Sequence, residues 1–112
     1  MPRNMSFQHT TEQYRNRTKT VTRRLGWLDV RIGEVLNGVE KCMGLKKGEK
    51  VVRLGQHRVV GFRREPLDAI TQEDCVKEGF PHLEPHEFVE MFARLHGCSP
   101  SETVSRIEFE YV

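Results

Sequence analysis

The chain of 112 residues is 37% hydrophobic and 30% charged, and its formal net charge is +2 at pH 7. This length predicts a single domain over residues 1–112, and the composition is that of a globular protein rather than a disordered one. The apolar runs are as short as Val51-Val52 and Val59-Val60, so the sequence predicts no membrane span. The first residues lack the apolar centre of a signal peptide, which predicts a cytoplasmic protein.

The charge is unevenly distributed along the chain. Residues 1–64 contain 15 Lys/Arg and 5 Asp/Glu, a net charge of +10, and residues 65–112 contain 3 Lys/Arg and 11 Asp/Glu, a net charge of −8. A basic half can provide a surface for the phosphates of a nucleic acid. If the two halves interleave in the fold, their fields partly cancel. We favour the basic surface, because the arginines also cluster locally.

The three cysteines, Cys42, Cys75 and Cys98, are odd in number and far apart in the sequence. This pattern predicts reduced, buried thiols rather than a disulfide framework. There is no Cys-x-x-Cys pair, and no other ligand cluster has convincing spacing, so we expect neither a metal nor a cofactor.

The residue patterns of the first half predict two kinds of element. Alternation and β-branched residues favour strands, whereas hydroxyl side chains before a helical stretch favour helix starts. In chain order we predict a strand at 5–8, a helix at 10–16, a strand at 18–24 and a strand at 34–41.

The second half is predicted to begin with a hairpin and to end with a strand. We predict strands at 50–54 and 58–64 joined by a tight turn at 55–57, a short helix from 71 to about 79, an amphipathic helix at 84–95 capped by Gly97, and a strand at 104–112. In the last strand, Ile107, Phe109 and Tyr111 alternate with the polar residues Arg106, Glu108 and Glu110. Together these elements predict an α+β fold, a small mixed β-barrel of five to six strands with two or three short helices.

A basic, hydroxyl-rich segment is the densest chemical signal. Five cations lie within ten residues: Arg15, Arg17, Lys19, Arg23 and Arg24. Guanidinium groups fit phosphate oxygens, and threonine hydroxyls add short-range donors. The alternative is a solvated basic face with no ligand.

Lys19 and Thr22 also permit catalysis. A lysine in a partly dry cleft can lose its proton near neutral pH and can then activate a threonine hydroxyl as a nucleophile. A carboxylic acid is also needed, and spacing alone does not choose among five candidates: Glu65, Asp68, Glu73, Asp74 and Glu78. On a regular strand, however, Lys19 and Thr22 would face opposite ways.

Two other features have two interpretations each. Trp27, the single tryptophan, can stack on a base or anchor the core. His82 and His86 lie four residues apart, but Pro85 between them favours loop histidines without a ligand role.

The segment Arg17–Arg24, followed by Gly26-Trp27, resembles the N-terminal motif of ASCH-domain proteins, in particular the small members from bacteriophages and their hosts. Further similar stretches follow in the same order: Arg64–Leu67, Ile70-Thr71, Glu78–Pro81, Glu87-Phe88 and Arg106–Phe109. The resemblance therefore covers nearly the whole chain. It implies a PUA-like barrel with a cleft beside the motif strand, in which RNA or a modified nucleoside binds.

One branch of that family is the bacterial N4-acetylcytidine amidohydrolase, whose motif is Lys-Thr-x-Thr-x-Arg. The match to this branch implies that Lys19 is the base, Thr22 the nucleophile, Glu78 the proton donor and Arg24 a substrate contact. The chain has Arg17-Thr18 where that branch has Gly-Arg.

Three hypotheses follow. The first is a module that binds RNA or a modified nucleoside with Arg15, Arg17, Arg23, Arg24 and Trp27. The second is an amidohydrolase that uses Lys19, Thr22 and Glu78. The third is a ribonuclease, because a cleft lined by Lys, Arg and Glu can stabilise a phosphorane and move protons.

Overall fold

The structure is a computed structural model that describes residues 2–112 as an α+β domain with a five-stranded sheet in the order β1-β3-β4-β5-β2. The strands are β1 (Asn4–Ser6), β2 (Val21–Arg24), β3 (Val35–Val39), β4 (Arg53–Pro66) and β5 (Thr103–Tyr111). The helices are α1 (Thr11–Arg15), α2 (Gln72–Lys77) and α3 (Pro85–His96), and a short 3₁₀ helix spans Leu67–Ala69.

The sheet is open, so the predicted closed barrel is wrong. Within residues 2–112, β1 pairs only with β3 and β2 only with β5, and these two strands form the edges of the sheet. The 14-residue β4 runs antiparallel to both β3 and β5 and forms the centre of the sheet. The predicted mixture of strands and short helices is confirmed, with five strands and three α-helices.

The predicted hairpin turn at 55–57 is also wrong, since β4 passes straight through these residues. Gly55 pairs with Gly38 of β3, and both lie under the ring of Tyr14. A Cβ atom at Gly38 would lie 2.2 Å from Cζ of Tyr14, and one at Gly55 would lie 3.4 Å from its Cε1. These glycines therefore allow close packing of an aromatic ring rather than a turn.

Two hydrophobic clusters form the core and meet along β5. The first packs α1 against the sheet, and the second packs α2 and α3 against the beginning of β5. The first contains Met5, Phe7, Tyr14, Val30, Leu36, Val59, Ile107 and Phe109. The second contains Leu67, Ile70, Cys75, Phe88, Val89, Phe92 and Val104. Of the three cysteines, all free as predicted, only Cys75 is buried.

Local capping explains where the two longer helices begin and where α3 ends. The Thr71 hydroxyl accepts from the Asp74 backbone N–H at the start of α2. At the start of α3, Glu84 and Glu87 form a reciprocal capping box around Pro85. Gly97 ends α3 in the left-handed conformation, with φ 63°, as predicted.

Two further findings concern the described part of the chain. No helix within residues 2–112 is both long and apolar enough to cross a membrane. Nor do these residues bring three or more His, Cys, Asp or Glu side chains together as a potential metal site.

Candidate functional site

A cavity of about 230 Å³ lies beside the basic segment. Its walls come from β2, the connection between β1 and α1, the residues just after α2, and one face of α3. The polar lining includes Lys19, Thr22, Arg24, Glu78, His9 and His96, and the apolar lining includes Phe7, Phe80, Phe88, Met91, Phe92 and Leu95.

Lys19 and Glu78 form a buried ion pair at this cavity. Lys19 Nζ lies 2.6 Å from Glu78 Oε1 and donates to the Glu78 carbonyl oxygen at 3.0 Å. Both side chains are 3% exposed. The backbone fixes this contact, because the Thr20 N–H donates to the Lys77 carbonyl and the Tyr111 hydroxyl donates to the Lys19 carbonyl. The segment before β2 is thus bound to the end of α2.

Two opposing effects act on the Lys19 amine. Burial lowers the pKa of Lys19, because the charged ammonium loses its hydration, and the neighbouring Glu78 carboxylate partly offsets that decrease. The net direction is downward. Charged Arg24 and Arg23 add to it by repelling the ammonium.

Thr22 lines the same cavity as the ion pair, contrary to the alternation expected for a strand over 18–24. The strand begins only at Val21, so its alternation does not extend back to Lys19. The Thr22 hydroxyl is buried and accepts from Nε of Arg24 at 3.0 Å. The structure therefore brings all three proposed catalytic residues to one cavity, while their roles remain predictions.

Arg23 points away from solvent into a carboxylate cluster. Its Nη2 lies 2.6 Å from Asp74 Oδ2 and 2.8 Å from Glu65 Oε2, and its Nη1 lies 3.2 Å from Glu78 Oε2. The Arg23 side chain is 0% exposed. The expected contribution of Arg23 to a continuous basic surface is therefore wrong, because three carboxylates surround its guanidinium.

Arg106 completes this buried cluster. Its Nε and Nη2 donate to the two carboxylate oxygens of Asp74 at 2.7 and 3.0 Å. Together Arg106 and Arg23 hold the pKa of Asp74 well below its usual range. The expected alternation of β5, with Arg106 opposite the core, missed this burial because α2 covers that face. We name the set Arg23, Glu65, Asp74 and Arg106 the ion network.

Arg24 has a different environment from its neighbour. Its guanidinium lies 4.9 Å from the centroid of the Phe7 ring, and within residues 2–112 it forms no ion pair and donates only to Thr22. Burial lowers the pKa of Arg24 to about 10, so the side chain stays charged at neutral pH.

The other predicted binding residues lie outside the cavity lining. Arg15 is exposed and lies 3.7 Å from Glu40, and Arg17 is exposed beside the Tyr111 ring at 5.1 Å. Trp27 is half-buried against the first hydrophobic cluster, and the Arg3 guanidinium lies 4.9 Å from its ring centroid. The structure supports the core-anchor interpretation of Trp27, since it does not place this ring at the cavity.

The sequence did not point to the histidines and aromatic residues of the cavity. Phe7 directly follows β1, His9 belongs to a turn, and His96 belongs to the last turn of α3. Phe88 and Phe92 were predicted as core because of their helical spacing, and they are both core and cavity wall. These residues lie far apart in the sequence, so no local pattern predicts that they meet at one cavity.

Comparison with known proteins shows the fold alone. No family model matches the chain, and no curated protein matches it. Among solved structures, the hypothetical protein PH0355 is 17% identical, with a TM-score of 0.69 and full coverage of both chains. Protein EF3133 from Enterococcus faecalis V583, described with the family model DUF984, is 14% identical, with a TM-score of 0.65; the match covers 100% of this chain and 76% of that one. The α+β domain is therefore a fold already seen in solved proteins.

Proposed function

We propose that the cavity binds the base of a nucleoside, free or within single-stranded RNA. The observation that carries this proposal is the buried Lys19–Glu78 pair on the wall of a cavity whose other side is aromatic and apolar. A nucleobase has the same two properties, because its faces are apolar and its edge carries donors and acceptors.

The apolar lining suits the faces of the base. Phe7, Phe80 and Phe88 belong to three different parts of the chain and all border the cavity. Stacking on aromatic side chains contributes about 1–3 kcal/mol per base in proteins that bind single-stranded nucleic acids. A cavity of about 230 Å³ is small for a ligand site, and this size favours one base over an oligonucleotide.

The polar lining suits the edge of the base. The ammonium of Lys19 donates, the carboxylate of Glu78 accepts, and the Thr22 hydroxyl can do both. Arg15 and Arg17, outside the cavity, can contact the phosphates of a longer RNA. The ASCH-like motif around Lys19 supports the same function, and a PUA-like relationship is part of this proposal.

A second candidate function is hydrolysis of an acylated exocyclic amine, as in N4-acetylcytidine. It is favoured by the location of the Thr22 hydroxyl, which borders the cavity with the Lys19–Glu78 pair and accepts from charged Arg24. A guanidinium donor stabilises the oxygen as negative charge develops on it.

In this reaction the ion pair supplies both a base and an acid. A proton shift from Lys19 Nζ to Glu78 Oε1, across 2.6 Å, leaves a neutral amine and a carboxylic acid. Thr22 then attacks the acyl carbon and gives its proton to Lys19. Glu78 gives its proton to the leaving nitrogen as the C–N bond breaks. Water hydrolyses the acyl-threonine, which releases a carboxylic acid and regenerates the hydroxyl.

Calorimetric titration with cytidine and N4-acetylcytidine tests binding. Lys19→Met should weaken binding of whichever nucleoside binds by about 10- to 100-fold, because a hydrogen bond to a charged group contributes about 1.5–3 kcal/mol. Lys47→Met is the matched control, since Lys47 is exposed in a turn. Equal affinities of the two variants would contradict the proposal.

Chromatographic detection of cytidine and acetate tests hydrolysis. Thr22→Val should reduce the rate by at least about 10³-fold if the hydroxyl is the nucleophile. The exposed Thr103 provides the control, Thr103→Val. If the wild-type protein binds N4-acetylcytidine but releases no acetate, binding is the function and hydrolysis is not. Cleavage of RNA under the same conditions would instead favour the ribonuclease hypothesis.

A further inference from the structure

Arg24 is the one cation of the cavity wall without a carboxylate partner among residues 2–112. Lys19 is paired with Glu78, and Arg23 is surrounded by carboxylates. The Arg24 guanidinium is instead held by the Thr22 hydroxyl through Nε and by the Phe7 ring below it. Its Nη1 and Nη2 make no hydrogen bond to the described residues, so four N–H donors remain available.

Two histidines border the same cavity. His9 lies in the turn between β1 and α1, and His96 lies in the last turn of α3. Both are exposed, which locates them at the mouth of the cavity. Burial lowers the pKa of His96, and repulsion from Arg24 and His9 adds to that decrease. All three side chains line the same cavity.

We infer that Arg24, His9 and His96 form a phosphate subsite at the mouth of the cavity, and that the ligand is a nucleoside monophosphate or the corresponding nucleotide of an RNA. This inference deepens the proposed function and rests on it. The base would enter toward Lys19 and Glu78, and its phosphate would contact the three groups nearer to solvent.

The charge balance of the cavity supports an anion at this position. The ionisable groups that line it are Lys19, Arg23, Arg24, Glu78, His9 and His96. Within residues 2–112, Glu78 pairs with Lys19, and Glu65 and Asp74 pair with Arg23, whereas Arg24 and the two histidines form no ion pair. A phosphate supplies the missing negative charge and accepts from a guanidinium with two parallel hydrogen bonds.

Calorimetric titrations with cytidine, cytidine 5′-monophosphate and a cytidine-containing dinucleotide test the subsite. We define the phosphate ratio as the dissociation constant of cytidine divided by that of the monophosphate. In the wild-type protein this ratio should be about 10 to 100, and Arg24→Gln should reduce it below about 3. His96→Asn, an exposed change, should reduce it by about 3-fold, while Arg58→Gln on the exposed surface should leave it unchanged.

Comparison of the monophosphate with the dinucleotide distinguishes a free nucleotide from RNA as the source of the phosphate. Tighter binding of the monophosphate than of the dinucleotide indicates a free nucleotide, and the reverse indicates RNA. Inorganic phosphate at millimolar concentration should compete with the monophosphate but not with cytidine.

The two proposals fail in different ways. If cytidine binds and the ratio is near 1, the phosphate subsite is wrong and base binding stands. If the monophosphate binds through Arg24 while cytidine does not bind, the subsite stands and base recognition is wrong. If neither ligand binds, both are wrong.

Discussion

The two faces of β2 hold adjacent arginines in opposite electrostatic environments. Arg23 is buried among Glu65, Asp74 and Glu78, whereas Arg24 borders the cavity and forms no ion pair with any residue in the range 2–112. Burial costs both guanidinium groups part of their hydration, but among residues 2–112 only Arg23 gains ion pairs in return. Arginine thus stabilises the fold on one face of β2, whereas on the other face its guanidinium is available to a ligand.

This difference teaches which basic residues of the segment are available to a ligand. A cluster of arginines in a sequence is commonly interpreted as a phosphate surface, yet the arginine of this segment with the most side-chain hydrogen bonds, Arg23, has a fully buried side chain. Arg24 is the informative cation, because no ion pair within residues 2–112 offsets the hydration that its guanidinium loses on burial.

Among the substitutions that test this comparison, loss of Asp74 should cause the largest decrease in stability. Asp74→Ala leaves Arg23 and Arg106 partly unpaired in the interior, and we expect the free energy of unfolding to fall by about 3–5 kcal/mol. Urea denaturation measures this free energy. The adjacent exposed Glu73 provides the control, since Glu73→Ala should cost less than about 0.5 kcal/mol. Equal effects would show that the ion network does not stabilise the fold.

The next largest effect should be a decrease in stability as the pH falls, and it depends on His57. Its Nδ1 contacts the Tyr14 hydroxyl at 2.9 Å, its buried Nε2 has no hydrogen-bond partner within residues 2–112, and burial lowers the pKa of His57 to about 4. The unfolded chain therefore takes up a proton near pH 6.5 that the folded protein resists until pH 4. Stability should decrease by about 3 kcal/mol across this interval as the pH falls.

Acid titration of the unfolding free energy separates the two buried groups. The Asp74 pKa is depressed, so its contribution is present above about pH 3.8 and is lost only below it. His57→Gln should remove most of the decrease between pH 6.5 and 4, with a remainder from the lowered pKa of His96, and should leave the lower interval unchanged. A wild-type curve that is flat between pH 6.5 and 4 would contradict a buried neutral His57.

Arg24→Gln should have the smallest effect on stability. The variant loses the bond to Thr22 and the contact with Phe7, but it also removes a desolvated charge that forms no ion pair in the described part of the chain. These contributions oppose each other, so we expect the free energy of unfolding, measured by urea denaturation, to change by less than about 1 kcal/mol. A loss above about 2 kcal/mol would mean that Arg24 is structural, like Arg23.

The parts of the fold that depend on local pattern were predictable. The spacing of Phe88 and Phe92 with Gly97 after them gave α3, and alternation gave β5. The turn at Gly55 was mispredicted, because a glycine also fits where a ring from elsewhere must approach the backbone, and that ring, Tyr14, is 41 positions away. The open sheet likewise depends on long-range pairing that no local pattern specifies.

The site was predictable only in part. The basic segment identified Lys19 and Thr22, but alternation argued against their meeting, and five carboxylates fitted equally well from spacing. The resemblance selected Glu78, and the structure places that carboxylate against Lys19. Two further features could not be predicted from residue spacing, because they depend on how α2 and α3 pack. One is the burial of Arg106, and the other is the location of His9 and His96 at one cavity.

A crystal structure of the protein soaked with a nucleoside tests the central claim most directly. Our account predicts that the base occupies the cavity, with one edge within hydrogen-bond distance of Lys19 or Glu78 and one face against Phe7, Phe80 or Phe88. A cavity that holds only solvent while the nucleoside binds elsewhere, or no binding at millimolar concentration, would contradict it.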